Sequence, residues 1–184
     1  VGFVNAGIEL ANQVRNNDIP VPSRIYVALG TMGTAIGLAL GLALAGLDTE
    51  VQAVRVTARE FANEDAVLRL MRKCAGLMRH HDPSIPANLA GRTRLVCRNE
   101  FFGAGYGRTN ESTEAAIGFA DEQFGLELES TYSGKTMAAL IADLRAGGPD
   151  NVLFWNTWNS RPLDIDESQP PDFNVIPREF ARYF

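Results

Sequence analysis

Lysine is almost missing from this sequence. Of 17 basic residues only Lys73 and Lys135 are lysines, and the rest are arginines. Cysteine is just as sparse. Cys74 and Cys97 are too few for a disulfide framework and lack zinc-ligand spacing, so they read as reduced thiols of a cytoplasmic protein, and no metal site is expected. A surplus of positive charge is also absent. The 22 acidic residues outnumber the basic ones, and a formal charge of -5 argues against a nucleic-acid or anionic-membrane surface. No secretory signal opens the chain, because Asn5 and Glu9 stand where an apolar run would be needed. The first residue is Val1 rather than Met, the pattern of a processed product or a fragment.

What is present is apolar. Hydrophobic residues make up 46% of 184, enough for one ordinary domain with a sizeable core. One run, Ile25 to Leu47, carries no charge and is long enough to raise the question of a membrane span. Gly30, Thr31, Gly33 and Thr34 break it, with β-branched and aromatic residues before and Ala, Leu and Gly after. It reads as a buried strand, a tight turn and a buried helix.

The same reading extends along the chain. Helices are expected at Phe3–Arg15, Ala35–Ala45, Glu60–Met78, from Asn110 or Ser112 to Phe124, and at Gly134–Arg145. Phe61, Val67, Leu68, Leu70, Met71 and Leu77 form the expected apolar set of the third. Strands are expected at Arg24–Leu29, Val51–Val56, Arg94–Cys97 and Val152–Trp155, with a shaped, glycine-rich loop at Phe101–Thr109. Strands apolar on both faces that alternate with helices indicate an α/β fold, a parallel sheet covered by helices. The last twenty residues read as a tail or edge segment.

Chemistry concentrates in the turn Ala28–Ala35. It falls at the carboxyl end of a strand, where open α/β sheets bind ligands, and it leads into a helix whose first N–H groups favour an anion. Phosphate is the natural guest, although a tight strand-to-helix turn needs glycine for its own sake. The spacing matches neither dinucleotide nor nucleotide-hydrolase loops, and no lysine follows it. Tyr106, in a Gly-Tyr-Gly loop, can serve packing as easily as catalysis. Ser133 and Gly134 can cap the following helix, and Lys135 reads as a helix-start residue near solvent. His80 and His81 sit where a helix end favours them.

Three segments together resemble one family. Gly30–Val54, GTMGTAIGLALGLALAGLDTEVQAV, is similar to the TGSGGTxAGLxxGL stretch of pyridoxal-phosphate enzymes of the tryptophan-synthase-β fold. Phe102–Gly107 with Glu114–Ile117 resembles the GxGYGxP…EAI segment of the D-cysteine desulfhydrase and 1-aminocyclopropane-1-carboxylate deaminase group. Thr131–Leu140, TYSGKTMAAL, resembles that group's DPVYxGKAMxGL. Two departures stand out. Asn156–Pro162, with Trp158, replaces a glycine loop, and Glu129-Ser130-Thr131 lacks the proline before Tyr132.

The resemblance implies a three-layer, fold type II pyridoxal-phosphate enzyme, a lyase or deaminase acting on a small amino acid as a homodimer. It implies a phosphate cup at Leu29, Gly30, Thr31, Met32, Gly33 and Thr34. Tyr106 and Tyr132 would flank the substrate, and Ser133 would stand beside the pyridine nitrogen. Residues 1–162 would be the C-terminal part of the large cofactor-binding domain and 163–184 a tail. The Schiff-base lysine would lie in a preceding N-terminal part, because neither Lys73 nor Lys135 matches it. The isolated chain is then expected to be inactive. The rival expectation is a non-catalytic phosphate-binding domain of the same fold.

Overall fold

The computed structural model describes residues 2–149 and 151–161, and beyond them only Pro177. The expected C-terminal tail lies outside the described residues.

Four strands, β1 (Arg24–Leu29), β2 (Glu50–Arg55), β3 (Leu95–Arg98) and β4 (Val152–Phe154), form one parallel sheet in the order β3-β2-β1-β4. Successive side chains of β1 face opposite ways, so Ile25, Val27 and Leu29 join one core and Tyr26 the other. On the first face lie α1 (Gly2–Arg15), α2 (Gly33–Ala45) and α3 (Glu64–His81); on the second lie α4 (Glu111–Phe124) and α5 (Ser133–Arg145). The result is the three-layer architecture that the apolar strands imply. The uncharged run resolves into β1, a turn and α2; among the described residues no helix is long and apolar enough to cross a membrane.

Helix α2 is apolar all round because it is covered on both sides, by the sheet and by α1. The approach of α1 is close enough to require glycine. A Cβ at Gly7 would come within 2.7 Å of the Leu38 carbonyl, and one at Gly41 would run into the Val4 carbonyl. Gly46 ends α2 in the left-handed region at φ 72°, with its N–H donated back to Ala43, as a helix stop should.

Some expected boundaries move. Helix α3 begins at Glu64, not Glu60, because the Asn63 side chain accepts the Ala66 N–H at 2.9 Å and fixes the start there. Phe61 therefore lies in the preceding loop, 72% exposed, and Leu68 and Leu77 are largely exposed. The buried face of α3 is Val67, Met71, Ala75 and Met78. The helix also runs on to His81. Asn110, rather than Ser112, caps α4 by accepting the Thr113 N–H at 2.9 Å. Helix α2 starts at Gly33, two residues earlier than expected, and α5 starts at Ser133.

A polar network ties the second layer to the sheet. Asp143 on α5 accepts from Arg98 on β3 (2.7 and 2.9 Å) and from the Tyr26 hydroxyl on β1 (2.6 Å), with Arg24 at 3.4 Å. Burial alone would raise the Asp143 carboxyl, but the hydrogen bonds from Arg98 and Tyr26 and the arginine charges outweigh it and hold it below the ordinary carboxylate value.

Candidate functional site

A cavity of about 680 Å³ opens at the carboxyl ends of the strands. Its floor is the turn from β1 to α2, with Gly30, Thr31, Met32, Gly33 and Thr34 all on its surface. Met32 adopts the left-handed conformation at φ 69°, which a side-chain-bearing residue enters at a cost of about 1 kcal/mol. No side chain caps α2, so the N–H groups of its first turn face the cavity floor with the helix dipole behind them. Two threonine hydroxyls stand beside them.

This floor fits the phosphate of pyridoxal phosphate. Uncapped amides at a helix start that opens into the cavity hold an anion, hydroxyls add donors, and nothing lies within 4 Å of where a Gly33 Cβ would be. Gly30 serves another purpose. A Cβ there would sit 3.3 Å from the Tyr132 ring, so its absence lets that ring lie against the turn.

The wall opposite is a pair of phenols. The Tyr106 and Tyr132 hydroxyl oxygens are 2.5 Å apart and the rings meet edge to face, with centroids 6.0 Å apart. Bonding to Tyr106, then burial, pushes the Tyr132 phenol above its usual value. Tyr132 is positioned by Glu129, whose carboxylate accepts the backbone N–H groups of Thr131 (2.7 Å), Tyr132 (2.8 Å) and Ser133 (2.6 Å). The carboxylate thus caps α5, in place of the expected Ser133 or Gly134.

Two expected site residues lie elsewhere. Ser133 is buried, and its hydroxyl is held by Glu129, accepting the backbone N–H at 2.9 Å and reaching the carboxylate at 3.0 Å. It lines no part of the cavity. The Leu29 side chain points into the core beneath the turn, so any contact it makes with a ligand is through the backbone. Lys73 is exposed on α3, as its pattern indicated. Lys135 is the reverse of its expectation: it is completely buried, because its amine finds two carbonyl partners inside the protein.

Thr57, Phe61 and Thr157 also line the cavity; none of them is a site candidate in the sequence, where Phe61 is expected on the apolar face of α3. Thr57 follows β2, and Thr157 follows β4, so the rule that ligands sit beyond strand carboxyl ends identifies both positions. Phe61 carries no such signal. Trp158 shares a smaller cleft with Glu129, Tyr132 and Thr157, so the bulky departure from the glycine loop does stand next to the site. Among the described residues no cluster of His, Cys, Asp and Glu could hold a metal ion.

No family profile matches this chain. Individual proteins do. A D-cysteine desulfhydrase of Serratia proteamaculans is 31% identical over 168 residues, covering 89% of this chain and 47% of that protein. A nocardicin C-9′ epimerase of Nocardia uniformis is 31% identical over 174 residues, covering 94% of this chain and 50% of the relative. Among solved structures, a homologue of ACC deaminase superposes with a TM-score of 0.56 at 20% identity, over 82% of this chain and 43% of that one. Along most of its length the chain is similar to members of the D-cysteine desulfhydrase and ACC deaminase family. Its architecture is that family's fold type II arrangement. The chain spans about half the length of the curated relatives it matches.

Proposed function

We propose that the chain forms the cofactor-binding part of a pyridoxal-phosphate-dependent lyase or deaminase acting on a small amino acid. The observation that carries this reading is the uncapped, glycine- and threonine-rich floor at Gly30–Thr34 facing a hydrogen-bonded tyrosine pair. When bound, pyridoxal phosphate weakens bonds at the α-carbon of an amine substrate by withdrawing electrons.

The chain's own residues then have separate tasks. The amides of the turn and the hydroxyls of Thr31 and Thr34 grip the phosphate. Tyr106 and Tyr132 hold one proton between their oxygens, beside the substrate, and can donate or accept it there. Glu129 fixes the direction of Tyr132 through its three backbone contacts. Phe61 and Tyr106 flank the mouth of the cavity and limit water. Because Lys73 is on the surface and Lys135 is engaged with two carbonyls, the anchoring amine comes from a lysine outside these 184 residues. The 184 residues alone then give no turnover, and the working assembly is a homodimer.

The relatives' names include a desulfhydrase, an epimerase and a deaminase homologue, so the reaction is tested directly. The polypeptide in which this chain occurs is titrated with pyridoxal phosphate and then given D-cysteine or 1-aminocyclopropane-1-carboxylate. The visible band of lysine-bound cofactor and release of sulfide or ammonia are expected. A colourless protein would overturn the proposal and favour a phosphate-binding domain without chemistry.

A further inference from the structure

The fully buried Lys135 has no carboxylate within bonding distance among the described residues. Lysine is rarely buried completely, and when it is, some partner must answer for the desolvated charge. Here the partners are two main-chain carbonyls of one loop. Lys135 Nζ donates to the Phe102 carbonyl at 2.7 Å and to the Gly105 carbonyl at 3.1 Å. The ammonium also lies 5.1 Å from the centre of the Phe102 ring, with the Arg55 guanidinium 4.6 Å from the same ring.

The loop has few other means of holding its shape. Gly103, Ala104, Tyr106 and Gly107 are exposed, so little apolar burial fixes them. Gly103 and Gly107 sit at φ 69° and 66°, conformations that need glycine and that carry a large entropy cost to order. Yet this loop must bring the Tyr106 hydroxyl to within 2.5 Å of Tyr132. Tyr132 lies at the start of α5, three residues before Lys135. One short segment therefore carries both Tyr132 and the amine that grips the Tyr106 loop.

We propose that Lys135 is a positioning residue that sets the Tyr106–Tyr132 pair, locking the Phe102–Gly107 loop to the start of α5. It acts through Tyr106 and does not touch the reacting groups. Burial lowers its amine below the ordinary lysine value; the Glu129 charge opposes that shift and the Arg55 charge adds to it. The inference gives the lysine a part in the site of the proposed function, but the tyrosine pair is read without cofactor or substrate, so the two can fail separately.

The experiment is an ultraviolet titration of tyrosine ionisation in the wild type, Lys135→Met, Tyr106→Phe and the double variant, with circular dichroism to verify folding. Tyr106→Phe should bring the Tyr132 ionisation down toward the ordinary phenol value. Lys135→Met should reproduce that shift while remaining folded, and the double variant should add nothing further. Lys135→Gln, which keeps two N–H donors, should restore the wild-type titration at least in part. A folded Lys135→Met with unchanged tyrosine ionisation would overturn the proposal, as would a shift in the double variant equal to the sum of the two single shifts. If the lysine variants do not fold, amine acetylation of the native wild type supplies the test. Lys73 should label at once and Lys135 only on unfolding; equal labelling would show that the buried amine does not hold the loop.

Discussion

At the scale of single residues, stability and site geometry depend on a few buried polar groups. Asp143 joins two strands, β3 and β1, to α5 through Arg98, Tyr26 and Arg24. Replacing it by Ala strands a mostly buried guanidinium and removes an acceptor from a buried tyrosine. A loss of about 3 kcal/mol is expected, which corresponds to a fall of roughly 6–12 °C in thermal midpoint for a chain of this size. The Asp143 carboxyl is held below its ordinary value, so its contribution is present above the usual carboxylate range and is lost as pH falls through the lowered value. The alkaline side has another cause. Burial, assisted by the Glu64 charge, pushes the Cys97 thiol up to about 11. A raised value means stability is complete below the unfolded thiol's titration and declines as pH rises toward 11. Urea midpoints should therefore drop between pH 8 and 11, and more shallowly in Cys97→Ala. Neither residue announced its role in the sequence, since an isolated Asp in a helix and an isolated Cys in a strand carry no spacing signal.

At the scale of elements, close contact between helices matters more than their individual propensities. The α1–α2 seam exists because Gly7, Gly37 and Gly41 present no side chain where the backbones meet. Gly41→Ala gains about 1 kcal/mol of helix propensity, but its methyl meets the Val4 carbonyl, which is backbone and cannot step aside. A net destabilisation of about 2 kcal/mol is expected, within the range for overpacked sites. Gly76→Ala is the counterpart. It lies inside α3 with nothing within 4 Å of the new methyl, and should stabilise by about 1 kcal/mol. Chemical denaturation of the two variants tests both signs. The glycine spacing of α2 was visible in the sequence, but which glycines face α1 depends on tertiary packing. The same limit explains α3. Phe61 extends the helical period toward the N-terminus, yet a single side-chain cap at Asn63 sets the start three residues beyond it.

At the scale of the whole molecule, the sheet was legible because β1 is apolar on both faces from Ile25 to Leu29, as a parallel strand buried between helix layers requires. The floor of the site was legible for a related reason: Gly30–Thr34 joins a buried strand to a buried helix. The tyrosine pair was legible only through family resemblance, because Tyr106 and Tyr132 lie 26 residues apart and nothing local shows that they meet. The burial of Lys135 was not legible, since its partners are carbonyls that belong to no side-chain pattern. The central claim is that the Gly30–Thr34 turn holds the phosphate of pyridoxal phosphate. The most direct measurement is the phosphorus-31 resonance of the cofactor bound to the polypeptide that carries this chain, followed across pH 5–9. A phosphate enclosed by helix amides and threonine hydroxyls stays dianionic, so a single resonance that does not move with pH is predicted. A resonance that titrates like the free phosphate ester would contradict the account.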